Sequence, residues 1–245
     1  EDDIFFMPYV KKLIPLIDML ITKKKEENNI VELPLSIKTN KGLQEDVSDL
    51  NGIVIPSLYE YNINKSSTIY EKTKTIYERS FFNTSKSDAI LSKLGTIIRT
   101  YKTNLSDDER IQTSLQLGNA YICMSENILS KFMQITEYNW LTSKMVKECL
   151  NNISCNVDKN IKFEEEVGDM VDDKSVFYQH LSNEYGLIKV RGRVDAFDDT
   201  NIWEFKCVES VKREHLLQLI IYAWIYEKSM KTVLGVRKFK LLNIR

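Results

Sequence analysis

The stretch Gly192-Arg193-Val194-Asp195-Ala196-Phe197-Asp198-Asp199-Thr200-Asn201-Ile202-Trp203-Glu204-Phe205-Lys206-Cys207-Val208 decides how this chain is read. Two largely apolar runs flank the polar residues Asp198 to Asn201, which is the pattern of a β-hairpin. Side chains alternate across a strand. In the second run Trp203, Phe205 and Cys207 therefore share one face, and Glu204 and Lys206 share the other. The apolar set belongs against a core, so an acid and an amine two residues apart point the same way. In the first run Val190, Gly192, Val194 and Ala196 alternate with Arg191, Arg193 and Asp195. An aspartate in such a strand is disfavoured by propensity and costly if buried alone. It reaches the side of Glu204 and Lys206 provided the hairpin register allows.

Further runs extend this hairpin. Ile161 to Val167, Leu187 to Phe197, Ile202 to Val208 and Phe239 to Ile244 read as strands, and Ser210 to Lys228 as a helix between the last two. The pattern is an α/β core with a small mixed sheet flanked by helices. The helix is apolar almost all round, yet it holds Gln218 and Tyr222 one turn apart. A glutamine in such a helix needs a partner for its amide. Either the pair satisfies itself in the core, or it serves a site.

Upstream the chain is helix-rich. Phe6, Val10, Leu13, Ile14, Ile17, Leu20 and Ile21 recur at helical spacing within 3–27. Ser67 to Arg79 and Ser87 to Tyr101 follow as helices. A helix N-capped by Ser106 or Asp107 runs to about Met133, and another from Trp140 to Cys149. Between 28 and 68, Asn28-Asn29, Pro34, Asn40-Lys41-Gly42, Asn51-Gly52 and Pro56 punctuate the chain. Ile30 to Leu33 and Ile53 to Ile55 read there as short strands. The breaker at 104–107 sets a boundary near 105, between a helix-rich 1–104 and a catalytic-type domain at 105–245.

The 245 residues are 43% hydrophobic, enough for one large domain or two small ones. The net charge of -1 excludes a broadly basic nucleic-acid binder, so any affinity for phosphates must be local or come through metal ions. Cys123, Cys149, Cys155 and Cys207 contain no CxxC pair, which argues against a zinc site or a disulfide framework. The apolar stretch from Leu216 to Tyr226 falls short of the ~20 residues that span a bilayer. No signal peptide opens the chain, so a soluble, intracellular protein is expected. The missing initial Met and the strand-like end predict a piece of a longer polypeptide.

Asp195, Glu204 and Lys206 together suit phosphodiester hydrolysis. Two carboxylates bind Mg²⁺ or Mn²⁺, which seek hard oxygen donors. The Phe205 carbonyl, between acid and amine, adds another oxygen. Lysine orients or deprotonates the attacking water, or stabilises the crowded phosphorus. Standing alone, Glu-x-Lys is an ordinary surface pair.

The ordered set of Asp195, Glu204-Phe205-Lys206 and Gln218-Leu219-Ile220-Ile221-Tyr222 resembles the PD-(D/E)XK nuclease superfamily, in its RecB-like branch. Val194 stands where the family's name has proline. The resemblance covers roughly Leu117 to the C-terminus. It implies a restriction-endonuclease-like core. Asp195, Glu204 and the Phe205 carbonyl would hold the metal, Lys206 would be the catalytic lysine, and Gln218 and Tyr222 would position lysine or phosphate. The branch's upstream histidine is replaced: Ile122 stands at its place in Leu117-Gly118-Asn119-Ala120-Tyr121-Ile122. Glu126 or Glu164 is the substitute ligand, against the plainer reading of Glu126 as a solvated helix residue. No cysteine follows Cys207, so no iron–sulfur cluster is expected. Arg191, Arg193, His215, Lys238 and Lys240 are candidates for the phosphate backbone, each weighed against an ordinary solvated or packed side chain.

The implied substrate is DNA, single-stranded or at duplex ends. The stretches around Glu204 and Gln218 are similar to nuclease modules of viral helicase–nuclease proteins, so a helicase domain in the same polypeptide is an expected partner. No GxxxxGK[ST] motif is present, so this chain has no ATP motor of that kind. Two alternatives stay open: an RNA endonuclease of the same fold, and a nuclease-like module that binds DNA or a partner without cutting.

Overall fold

The computed structural model describes residues 30–83, 89–126, 128–158, 160–167, 192–229 and 238–245. The helix expected over 3–27 and the first part of the strand expected over Leu187 to Phe197, with Arg191, lie outside them. The fold is mixed α/β. Its elements are β1 (Ser36–Lys38), β2 (Gln44–Asp46), α1 (Ser48–Asn64), α2 (Thr68–Asn83), α3 (Ala89–Tyr101), α4 (Asp107–Ser125), a 3-10 turn (Leu129–Met133), α5 (Ser143–Ser154), β3 (Lys162–Val167), β4 (Gly192–Phe197), β5 (Asn201–Lys206), α6 (Arg213–Ser229) and β6 (Lys238–Asn243). No described helix is long and apolar enough to cross a membrane.

Two compact units divide the chain elsewhere than near 105. One comprises Val31–Val157, Phe205–Glu209 and Asn243–Arg245; the other includes Asp158–Glu204 and Ser210–Leu242. The helices on both sides of residue 105 share one core: Ile69 and Tyr70 of α2, Leu94, Ile97, Ile98 and Tyr101 of α3, and Leu117, Ala120 and Tyr121 of α4. Helix α4 starts on a full capping box. Ser106 accepts from the Glu109 amide, and the Glu109 side chain accepts from the Ser106 amide. Gly118 allows α4 to meet α1 closely; a Cβ there would lie 2.5 Å from Val54.

Ile53 to Ile55, read as a strand, lies inside α1. Its β-branched residues favour strands, and Asn51-Gly52 and Pro56 look like breakers. Tertiary contacts override both signals. Asn51 is fully buried, donates its amide to the Pro34 carbonyl and accepts from the Trp140 indole. Ile30 to Leu33 is not a strand either. Asn40-Lys41-Gly42 does form a turn, between β1 and β2, with Gly42 at φ 73° where a side chain is disfavoured. The helix expected to reach Met133 stops at Ser125 and resumes as the 3-10 turn.

The second unit is built on the sheet β3-β4-β5-β6. Strands β3 and β4 are antiparallel, as are β4 and β5. Lys238 donates to the Thr200 carbonyl and Ile244 to that of Lys206, a constant offset that makes β6 parallel to β5. The sheet is therefore mixed, and β5-α6-β6 is a strand–helix–strand crossover. Val194 and Ile202 of the sheet share a core with Ile225 and Tyr226 of α6.

Candidate functional site

The hairpin between β4 and β5 is built on Asp198. This residue is 3% exposed. Its carboxylate accepts from the Thr200 amide (2.8 Å), the Asn201 amide (2.6 Å), the Asn201 side chain (3.0 Å) and the Trp203 indole (3.1 Å). Burial pushes its carboxyl up, but the hydrogen bonds from Asn201, Thr200 and Trp203 outweigh that and hold it at about 2. The Asp198 amide donates to the Asn201 carbonyl and closes the turn. The polar turn was legible in the sequence. That one of its acids is buried and organises the others was not, because four consecutive polar residues look alike.

This turn sets the register, Phe197↔Ile202 and Ala196↔Trp203. Extended by one rung, the same register would set Asp195 opposite Glu204. On the other side of β4, the pairs Phe163↔Ala196 and Glu165↔Val194 bracket Glu164, which falls opposite Asp195. Extended by one rung each, the two registers would align Glu164, Asp195 and Glu204 across three adjacent strands. Opposed residues in antiparallel strands project to the same side of the sheet. Asp195 is partly exposed, whereas Glu204 is 2% exposed. Lys206 follows two residues later on β5, on the face of Glu204 by alternation.

Other expected site residues have partners of their own. Glu164 is ion-paired to Arg193, Oε2 to Nε 2.6 Å, and sits at φ 54° within β3, a conformation costly for a residue with a Cβ. Arg193 is thereby engaged within the sheet. The Lys240 ammonium lies 4.5 Å from the centre of the Trp203 ring. Lys238 is exposed. On α6, Gln218 donates to the Tyr222 hydroxyl at 3.1 Å, so these two side chains do pair. Tyr222 packs over Gly192, where a Cβ would lie 3.1 Å from its ring. The His215 Nδ1 accepts from the Lys212 amide at 3.1 Å. Glu126 is an exposed residue at the C-terminal end of α4, in the helical unit.

The donor set is oxygen only: the Asp195 and Glu204 carboxylates, and the Phe205 carbonyl between Glu204 and Lys206. That chemistry fits Mg²⁺ or Mn²⁺, which accept one or two protein carboxylates and keep several waters. A carboxylate as deep as Glu204 is costly without positive charge nearby. Among the described residues no group of three or more His, Cys, Asp or Glu side chains is arranged to hold a metal ion; the third acid of the row, Glu164, is turned to Arg193. No family model, curated protein or solved structure matches the chain, so the functional reading rests on this geometry.

Proposed function

We propose that the chain hydrolyses phosphodiester bonds in DNA with a divalent ion, Mg²⁺ or Mn²⁺, on a restriction-endonuclease-like core. The observation that supports this reading is the register of the Asp198 hairpin, which, extended by one rung, would set Asp195 opposite Glu204, with Lys206 two residues further on. When bound, the ion supplies positive charge against the phosphoryl oxygens. Asp195 and Glu204 hold it, with the Phe205 carbonyl. Lys206 orients the attacking water and offsets charge that grows as the phosphorus becomes five-coordinate. The Gln218–Tyr222 pair braces α6 against Gly192 at the start of β4. DNA single strands or ends are the proposed substrate, and a helicase in the same polypeptide the proposed partner.

A second reading has one observation in its favour. The third acid of the row is committed to Arg193, which suits a module that binds DNA without cutting it. One experiment separates the readings: cleavage of labelled single-stranded DNA, duplex DNA and RNA with Mn²⁺, by wild type, Asp195→Ala and Lys206→Ala. Nuclease activity predicts cleavage by wild type and a loss of 10²-fold or more in each variant, the order expected for removing a group that acts on the transition state. Cleavage that survives both substitutions refutes the site. DNA binding with no cleavage under either ion moves the assignment to the binding module, and preferential cutting of RNA moves it to an RNA endonuclease.

A further inference from the structure

The start of α6 is capped in an unusual way. Helices ordinarily begin after Ser, Thr, Asp or Asn, but Lys212 precedes this one. Its amide donates instead to the Nδ1 of His215, three residues on, at 3.1 Å. That is the reach-back half of a capping box, made by an imidazole where glutamate or glutamine usually serves. A nitrogen that accepts must carry no proton, so the ring proton belongs on Nε2.

Protonation abolishes this contact. An imidazolium has two donors and no acceptor, so Nδ1–H would confront the Lys212 N–H. It also places a new cation in the first turn, where the helix dipole is already positive. Lys212 and Arg213 are cationic there, and Glu214 is the only acid in the turn. Both effects act in the same direction. On the strands packed against α6, the charged residues with described side chains are Lys162 and Glu164 on β3, Arg193 and Asp195 on β4, Glu204 and Lys206 on β5, and Lys238 and Lys240 on β6. Glu164 and Arg193 neutralise each other.

The geometry points to His215 as a proton-operated cap. It holds the first turn of α6 while the ring is neutral and releases it once the ring is protonated. Gln218 lies one turn beyond His215 and Tyr222 two, so the device controls the order of the segment that carries them. Its bearing on cleavage rests on the nuclease reading; the cap itself does not.

The test is amide hydrogen exchange on the full chain at pH 7.5 and 5.5, expressed as protection factors, for wild type and His215→Gln. Glutamine keeps a side-chain acceptor at this position and does not titrate. In wild type, protection at Lys212 and at Leu216, Leu217 and Gln218 should fall about fivefold at the lower pH, the factor that one helix cap of ordinary strength corresponds to. In the glutamine variant it should change little. Nitrogen-15 spectra should show His215 as the Nε2–H tautomer at pH 7.5. Protection unchanged with pH in wild type, the same fall in the glutamine variant, or an Nδ1–H tautomer would each overturn the proposal. Cleavage followed in parallel separates the two ideas. Absence of cleavage at every pH counts against the nuclease reading only, whereas the cap stands or falls on protection and tautomer.

Discussion

Asp198→Asn removes one charge and one acceptor oxygen while keeping size and shape, and the structure fixes what this should cost. The Asp198 carboxyl is held at about 2 against an ordinary 3.8. Each tenfold change in proton affinity corresponds to about 1.4 kcal/mol, so the folded hairpin favours the ionised over the neutral group by roughly 2.5 kcal/mol. Asparagine mimics the neutral group. Its amide would also turn two hydrogens toward the Asn201 side chain and the Trp203 indole, which are themselves donors. The expected loss at pH 7 is therefore about 2–3 kcal/mol, within the range for removing a buried charged acceptor. The sign with pH follows from the depressed value. The contribution is fully present above about 4 and is lost as the pH falls through about 2. Urea unfolding at pH 7, 4 and 2.5, followed by tryptophan fluorescence, measures the gap between wild type and variant. That gap should narrow at the lowest pH. A loss under about 0.5 kcal/mol at pH 7, or a gap that does not change with pH, would refute the assignment of the turn's stability to this carboxylate.

Two further outcomes can be checked directly. Gly192→Ala places a Cβ 3.1–3.3 Å from the Tyr222 ring and Ile225; it should destabilise by about 1–3 kcal/mol, as overpacking does, and unchanged stability would show that α6 shifts freely over β4. Burial pushes the Cys149 and Cys207 thiols up to about 12, leaving on the order of one thiolate in 10⁴ at pH 8. Iodoacetamide should therefore modify the exposed Cys155 first, with Cys149 and Cys207 reacting only on unfolding, as mass spectrometry of labelled peptides would show.

Much of the sheet was legible in advance because its signals are local. Strand alternation, the polar turn and the continuously apolar helix each depend on residues a few positions apart, so β3, β5, α6 and β6 lie close to their expected bounds and β4 ends at Phe197 as expected. The same locality misled at Ile53 to Ile55, where β-branched residues beside Gly52 and Pro56 pointed to a strand. The helix there is held by Asn51 through bonds to Pro34 and Trp140, the latter 89 residues away. The break near 105 was visible as a polar turn, but whether helices on either side share a core depends on packing that no local pattern encodes.

The candidate site divides along the same line. Sequence alone determined that Glu204 and Lys206 share a strand face, and that Gln218 and Tyr222 lie one turn apart, because strand and helix periodicity fix neighbours within an element. Tertiary structure alone decided the hairpin register, Ala196 against Trp203 and Phe197 against Ile202, because it is set by the hydrogen bonds Asp198 gathers. It also decided that Glu164 answers Arg193 and that His215 accepts a backbone amide. A charged side chain carries no record of its partner in its own identity. Which opposite charge or donor it meets is settled when strands and helix are brought together, by the cost of leaving such a group unsatisfied.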